Sequence, residues 1–164
     1  METKNGLKLR HLSWQEFEKI IKKIIDEIKK KNLHYDAILA ISRGGLIPGV
    51  VLSHRLEIKN FQIVEIKRHE SNKPYTKKIK PIIRNPKYEK LRKAKRILIV
   101  DDIAGTGGTL IKLIQKLKRK NISNFDIFVV VKFNGSYSPP PSLDIKFFGK
   151  ICRNWTVFPW EKQI

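Results

Sequence analysis

Two stretches of this chain hold residue types at spacings that can do chemistry. The first is Val100-Asp101-Asp102-Ile103-Ala104-Gly105-Thr106-Gly107-Gly108-Thr109. An apolar run from Ile97 to Val100 leads into two acids, and a Gly-rich turn then opens an apolar-periodic segment. The first amides of a helix lack partners inside it, and glycines let such amides approach an anion closely. The amides of Gly105 to Thr109 can therefore converge on one phosphate, with the Thr106 and Thr109 hydroxyls as added donors. Two carboxylates just upstream would repel that phosphate at close range. They make sense beside sugar hydroxyls, or beside a divalent cation held between the sugar and a second phosphate. The turn is not a P-loop, because no lysine follows the glycine pair. The plainer reading is a tight strand-to-helix turn with acidic caps.

The second stretch is Ala40-Ile41-Ser42-Arg43-Gly44-Gly45-Leu46-Ile47-Pro48-Gly49. Arg43, between a strand end and two glycines, is placed to fork a pyrophosphate; the alternative is a surface salt bridge. Other reactive types are scattered. His11, His34, His54 and His69 show no metal-ligand spacing, and Cys152 has no evident His partner. A lone cysteine cannot form an internal disulfide, which fits a reducing, cytoplasmic setting.

In an open α/β sheet, ligands bind beyond the carboxyl ends of the strands, so both stretches must sit there. The flanking patterns agree. Ala37 to Ile41, Arg96 to Val100 and Phe125 to Phe133 are apolar runs of the kind buried on both faces of a sheet. Phe61 to Ile66 and Ile145 to Phe148 read as further strands. Ser13-Trp14-Gln15-Glu16 is a capping box, followed by apolar residues at Phe17, Ile20, Ile21, Ile24 and Ile28, which is helical spacing. Leu46 to Leu56 and Leu110 to Lys120 read as helices. Strands alternating with helices predict an α/β fold: a parallel sheet flanked by helices and joined by right-handed crossovers. Lys67 to Lys95 is rich in Lys, Arg and Pro without periodicity. It reads as a long mobile loop or hairpin, with a short helix at Tyr88 to Arg92.

With 164 residues and no linker, one domain over residues 1–164 is expected. No apolar run reaches the roughly 18 residues of a membrane span. A net charge of +20 admits three readings: a nucleic-acid partner, steering of an anionic substrate, or lysine drift. Lys outnumbers Arg roughly three to one, which favours the last.

The acid pair and its Thr-Gly-Gly-Thr loop resemble the signature of the type I phosphoribosyltransferases. Ala40 to Gly49 is similar to the pyrophosphate loop of the bacterial xanthine-guanine branch, and Asn154-Trp155-Thr156 through Pro159-Trp160-Glu161 is similar to that branch's tail. The resemblance implies a parallel sheet with a small hood formed by the N-terminal segment and about residues 134–164. It implies 5-phospho-α-D-ribosyl 1-pyrophosphate (PRPP), Mg²⁺ and a free purine base as partners, and self-association as a dimer or tetramer. It assigns the 5′-phosphate to Gly105, Thr106, Gly107, Gly108 and Thr109, and the pyrophosphate to Ser42, Arg43, Gly44 and Gly45, with a cis peptide expected between Ser42 and Arg43. Arg43, Asp101 and Asp102 become the catalytic set, and Asp102 the metal ligand. Trp155 would stack on the base, Thr156 would meet its edge, and Lys132 would donate to a 6-oxo group. A basic residue of a closing lid over Lys67 to Arg84, with Arg68, Lys73 and Lys77 as candidates, would reach the pyrophosphate. One position departs from the pattern: Gly105 stands where oxopurine enzymes carry an acid facing purine N7. The expected product is a purine nucleoside 5′-monophosphate from xanthine, guanine or hypoxanthine. An enzyme for another base such as adenine, or a PRPP-binding regulator of nucleic acid, are the alternatives.

Overall fold

A computed structural model describes residues 3–4, 7–69, 78–84, 86–134 and 138–161. In chain order the elements are β1 (Thr3–Lys4), β2 (Leu7–His11), α1 (Trp14–Lys30), β3 (Ala37–Ser42), α2 (Leu46–Arg55), β4 (Asn60–His69) and β5 (Lys78–Arg84). They continue as α3 (Tyr88–Arg92), β6 (Ile97–Ala104), α4 (Gly108–Arg119), β7 (Phe125–Phe133), β8 (Phe147–Cys152) and β9 (Trp155–Val157). Six strands form one sheet in the order β5-β4-β3-β6-β7-β8. All neighbours pair in parallel except the edge strand β5, which runs antiparallel to β4. A separate three-stranded sheet, β1-β2-β9, joins the two ends of the chain.

The unbroken apolar runs have the expected cause. Alternate residues of each central strand point to opposite faces, and both faces are covered. Leu98, Val100, Phe128 and Val130 meet α1 and α2 through Ile21, Ile24 and Leu52. Ile97, Ile99 and Val129 meet α3 and α4 through Leu91, Leu110, Leu113 and Leu117. Truncating one such side chain to alanine costs about 2–5 kcal/mol. Helix α1 starts at the capping box: Glu16 N–H donates to Ser13 Oγ at 3.1 Å, and Ser13 N–H donates to Glu16 Oε2 at 3.1 Å. Its last-turn Lys29 and Lys30 suit the negative end of the helix.

At the amino ends of β6 and β7, Asp126 gathers three donors: Tyr35 Oη at 2.6 Å, Arg96 Nε at 2.8 Å and Lys146 Nζ at 3.0 Å. Those donors hold the Asp126 carboxyl below its ordinary range despite burial, which pushes it the other way. This knot fastens the end of the sheet away from the two candidate loops.

Three expectations need correction. The last sheet strand begins at Phe147, not Ile145, because Phe147 takes the register position opposite Phe128. Of the two readings of the segment from Lys67, the hairpin holds and the loop from its start does not: β4 runs on to His69, and Ile66 pairs with Ile83 of β5 at the sheet edge. Of the lid candidates, Arg68 belongs to β4 by its backbone, and Lys73 and Lys77 lie outside the described residues. Strand β2 was not anticipated, since three of its five register partners lie at the far end of the chain.

Candidate active site

The chain leaves β3 through α2 toward β4, and leaves β6 through α4 toward β7. Helix α2 covers one face and α4 the other. Connections thus diverge between the adjacent strands β3 and β6, and a crevice opens where they part. Both candidate loops lie at that point, one after each strand.

The loop after β3 is pressed against the acid pair. The Ser42–Arg43 peptide is cis, as expected. A Cβ on Gly44 would lie 1.8 Å from Asp102 Oδ2, so glycine is required for the loop to lie against that carboxylate. A Cβ on Gly45 would meet the Val100 carbonyl at 2.3 Å and the Ile41 carbonyl at 2.7 Å. Gly45 N–H donates to Ile41 O at 2.8 Å, and Leu46 N–H to Arg43 O at 3.1 Å, which fixes the turn. Arg43 is largely exposed beside it.

The loop after β6 turns at Gly107, whose φ of 71° is left-handed. Helix α4 follows with no side-chain cap on its first amides. Leu143, Pro139 and Pro140 pack against Gly107, where a Cβ would meet Leu143 Cδ2 at 2.6 Å. This brace leaves the amide side of the turn open, with Thr106 exposed and Gly105, Gly108 and Thr109 partly exposed.

The two acids differ. Asp101 is 8% exposed, and its Oδ1 accepts the Asp102 amide at 3.0 Å. Asp102 is more open, and its Oδ1 accepts the Ile103 amide at 2.7 Å. Desolvation raises the Asp102 carboxyl to about 6, outweighing those hydrogen bonds, and the negative charge of Glu161 adds to the rise.

Lys132 lies level with Ala104 in the β6–β7 register, its Nζ 5.3 Å from the Phe148 ring centre. Trp155 stands on β9 with 43% of its surface exposed, paired in register with Leu9. Thr156 is 2% exposed, and its hydroxyl is buried without a hydrogen-bond partner. The hydroxyl is therefore enclosed and not open to a ligand. Trp160 is half-buried and packs against the core, stacked on Phe158 at 4.8 Å and edge-on to Phe17 at 5.3 Å.

The family model for the phosphoribosyl transferase domain matches residues 10–163. The chain belongs to this family. Among curated relatives, the xanthine-guanine phosphoribosyltransferase of Ruegeria sp. (strain TM1040) is 25% identical over 162 residues, covering 94% of this chain and 86% of its own. Among solved structures, the purine phosphoribosyltransferase from Pyrococcus horikoshii Ot3 superposes with a TM-score of 0.72 at 24% identity, covering 95% of both chains. The Helicobacter pylori xanthine-guanine-hypoxanthine phosphoribosyltransferase reaches 0.73 at 20% identity over 94% of both.

In this phosphoribosyltransferase the sequence reading missed one residue of the site. Glu161 closes a turn, its Oε2 accepting the Phe158 amide at 2.8 Å, and this brings its charge toward Asp102. The acid after Pro-Trp was visible in the sequence, but only the return of the tail across the sheet reveals its neighbour. Among the described residues no cluster of three His, Cys, Asp or Glu side chains is arranged to hold a metal, and no helix is long and apolar enough to cross a membrane.

Proposed function

We propose that this phosphoribosyltransferase transfers the phosphoribosyl group of PRPP to a free 6-oxopurine, giving a nucleoside 5′-monophosphate and pyrophosphate. The observation that carries the reading is the contact of Gly44 with Asp102. It puts a pyrophosphate-type loop, a sugar-facing acid and an uncapped helix start around one crevice. Amides from Gly105 to Thr109 receive the 5′-phosphate at the start of α4. Asp102 meets the ribose hydroxyls, and Asp101 shapes the turn that presents it. Ser42 to Gly45 and the Arg43 guanidinium hold the leaving pyrophosphate. Trp155 stacks on the purine, the backbone at Thr156 meets its edge, and Lys132 donates to the 6-oxo oxygen.

In the reaction a purine nitrogen forms a bond to ribose C1 as the C1–oxygen bond to pyrophosphate breaks. The nitrogen's proton leaves. Charge grows on the leaving group and on an oxocarbenium-like ribose, so the protein acts by positioning and electrostatics. Gly105 offers no side chain for the proton, which leaves that transfer to another group or to solvent.

The residues suit Mg²⁺. A desolvated Asp102 carboxyl raised to about 6, with the negative charge of Glu161 adding to the rise, is a site that gains from a hard cation. Mg²⁺ commonly takes one or two carboxylates and completes its shell with substrate oxygens and water. When bound, it would neutralise charge on the pyrophosphate.

Incubation with PRPP, Mg²⁺ and each of xanthine, guanine, hypoxanthine and adenine, with pyrophosphate release as the readout, tests the reading. Turnover of a 6-oxopurine is expected. Turnover of adenine alone would move the preference to the aminopurine. A second reading, a PRPP-binding regulator that engages nucleic acid, draws support from α4, which carries Lys112, Lys116, Lys118 and Arg119 and no acid. It predicts no turnover and RNA or DNA binding that weakens steeply with salt. Self-association as a dimer or tetramer is also proposed, on the exposed apolar side chains Val50 and Ile63; sedimentation showing a monomer would reject it.

A further inference from the structure

The PRPP-facing loops and the base-facing tryptophan stand on different sheets. Asp102 lies on β6 and Arg43 follows β3 in the six-stranded sheet, whereas Trp155 belongs to the small sheet with β1 and β2. Something must hold the small sheet at a set distance from the large one, or the base and the ribose C1 will not meet.

A two-residue link from β8 to β9 and the burial of Leu12 and Phe158 in the core do part of this, and one carboxylate also spans the gap. Glu16, in the first turn of α1, accepts Arg10 Nη2 from β2 at 3.0 Å, and the same Oε1 accepts Lys150 Nζ from β8. Its other oxygen accepts the Ser13 amide. Arg10 is the register partner of Thr156, the residue next to Trp155. Leu12 N–H also donates to Val157 O at 2.9 Å, so β2 and β9 move as a pair. The side chains of Arg10, Glu16 and Lys150 are about a third exposed, so their ion pairs are partly shielded from water. The Glu16 carboxyl is pulled down to about 2, first by the Lys150 hydrogen bond and then by the Ser13 amide, so it is charged at any working pH.

We infer that Glu16 is a positioning residue for the base: by binding Arg10 of the small sheet and Lys150 of the large one, it sets the height of Trp155 over the crevice. The inference rests on the proposed role of Trp155 and adds to it a residue that touches no substrate. Glu16 was legible in the sequence only as a helix cap, and the cap explains just one of its bonds.

Glu16→Gln separates the two roles. Glutamine still completes a capping box, but the charge that grips Arg10 and Lys150 is gone. The expected result is a base KM raised about tenfold, the scale of losing a charge-assisted hydrogen bond, with PRPP KM nearly unchanged and Tm lowered by a few degrees, since a carboxyl held near 2 stabilises the fold at neutral pH. Arg10→Met should do the same, and the double variant should be no worse than either single one, because both cut one link. Hydrogen exchange at the Leu12 amide gives a readout without turnover and should quicken in both variants. Equal rises in base and PRPP KM, additive effects, or unchanged Leu12 exchange would overturn the inference. Trp155→Ala serves as the reference. If it leaves base KM unaltered, the base-site reading falls and the inference with it. If it raises base KM and Glu16→Gln does not, only the inference falls.

Discussion

Gly105 to Thr109 obtain most of their geometry from one strand, one turn and one helix that follow each other along the chain, with Pro139, Pro140 and Leu143 bracing the turn at Gly107. Trp155 obtains its position from Leu9 and Arg10, at the opposite end of the chain, through a parallel pairing of β2 with β9. In the proposed function the first region works through main-chain amides, which every residue but proline carries, so its requirements reduce to glycines and an open helix start. In the same reading the second works through one side chain, 43% exposed, on a strand three residues long that cannot hold itself in place. A phosphate site is thus a local object, while a base site of this kind depends on long-range contacts. Damage to the first should abolish PRPP binding; damage to the second should change affinity for the base alone.

The largest effect is expected at Gly44. A methyl group there would overlap the Asp102 carboxylate, so Gly44→Ala should lower kcat/KM for PRPP about a thousandfold, measured by pyrophosphate release. An active Gly44→Ala enzyme would separate the two loops that the contact joins.

Asp102→Asn should cost about a hundredfold in kcat/KM, yet raise the Tm of the ligand-free protein by a few degrees. The sign follows from the upward shift. A carboxyl raised from 3.8 to about 6 gives stability that is fully present below pH 3.8 and lost as pH rises through 6. The substitution removes that loss, so the gain in Tm over wild type should be seen at pH 7 and vanish near pH 4. A gain that does not depend on pH would contradict the desolvated state of Asp102.

The two tryptophans of the tail should part company. Trp160→Ala should destabilise the fold by about 2–4 kcal/mol in urea titrations, because it removes a ring stacked on Phe158 and edge-on to Phe17. Trp155→Ala should cost about 1 kcal/mol of stability, less than Trp160→Ala because 43% of the residue is exposed, while raising base KM. A similar loss from both would make Trp155 a packing residue.

The smallest effect is expected at Thr156. Its buried hydroxyl lacks a partner, so Thr156→Val should leave stability equal or raise it by up to about 1 kcal/mol. Base KM should not change, because the edge contact is assigned to the backbone. A raised KM would move that contact to the hydroxyl.

Much of this was readable from residue order. The strand from Ile97, the acids at 101 and 102, the glycine turn and the helix after it form a pattern whose every part has a local cause. The same holds for Ser42 to Gly49, for the Ser13–Glu16 cap and for the central apolar strands. Tertiary structure alone decided three things: that Gly44 lies on Asp102, that Glu161 reaches toward the same acid, and that Arg10 and Lys150 share Glu16. Neighbours along a chain are constrained by dihedral angles and hydrogen-bond periods, which residue types reveal. Neighbours across a fold are set by sheet order and register, and one sequence does not print which strand lies beside which.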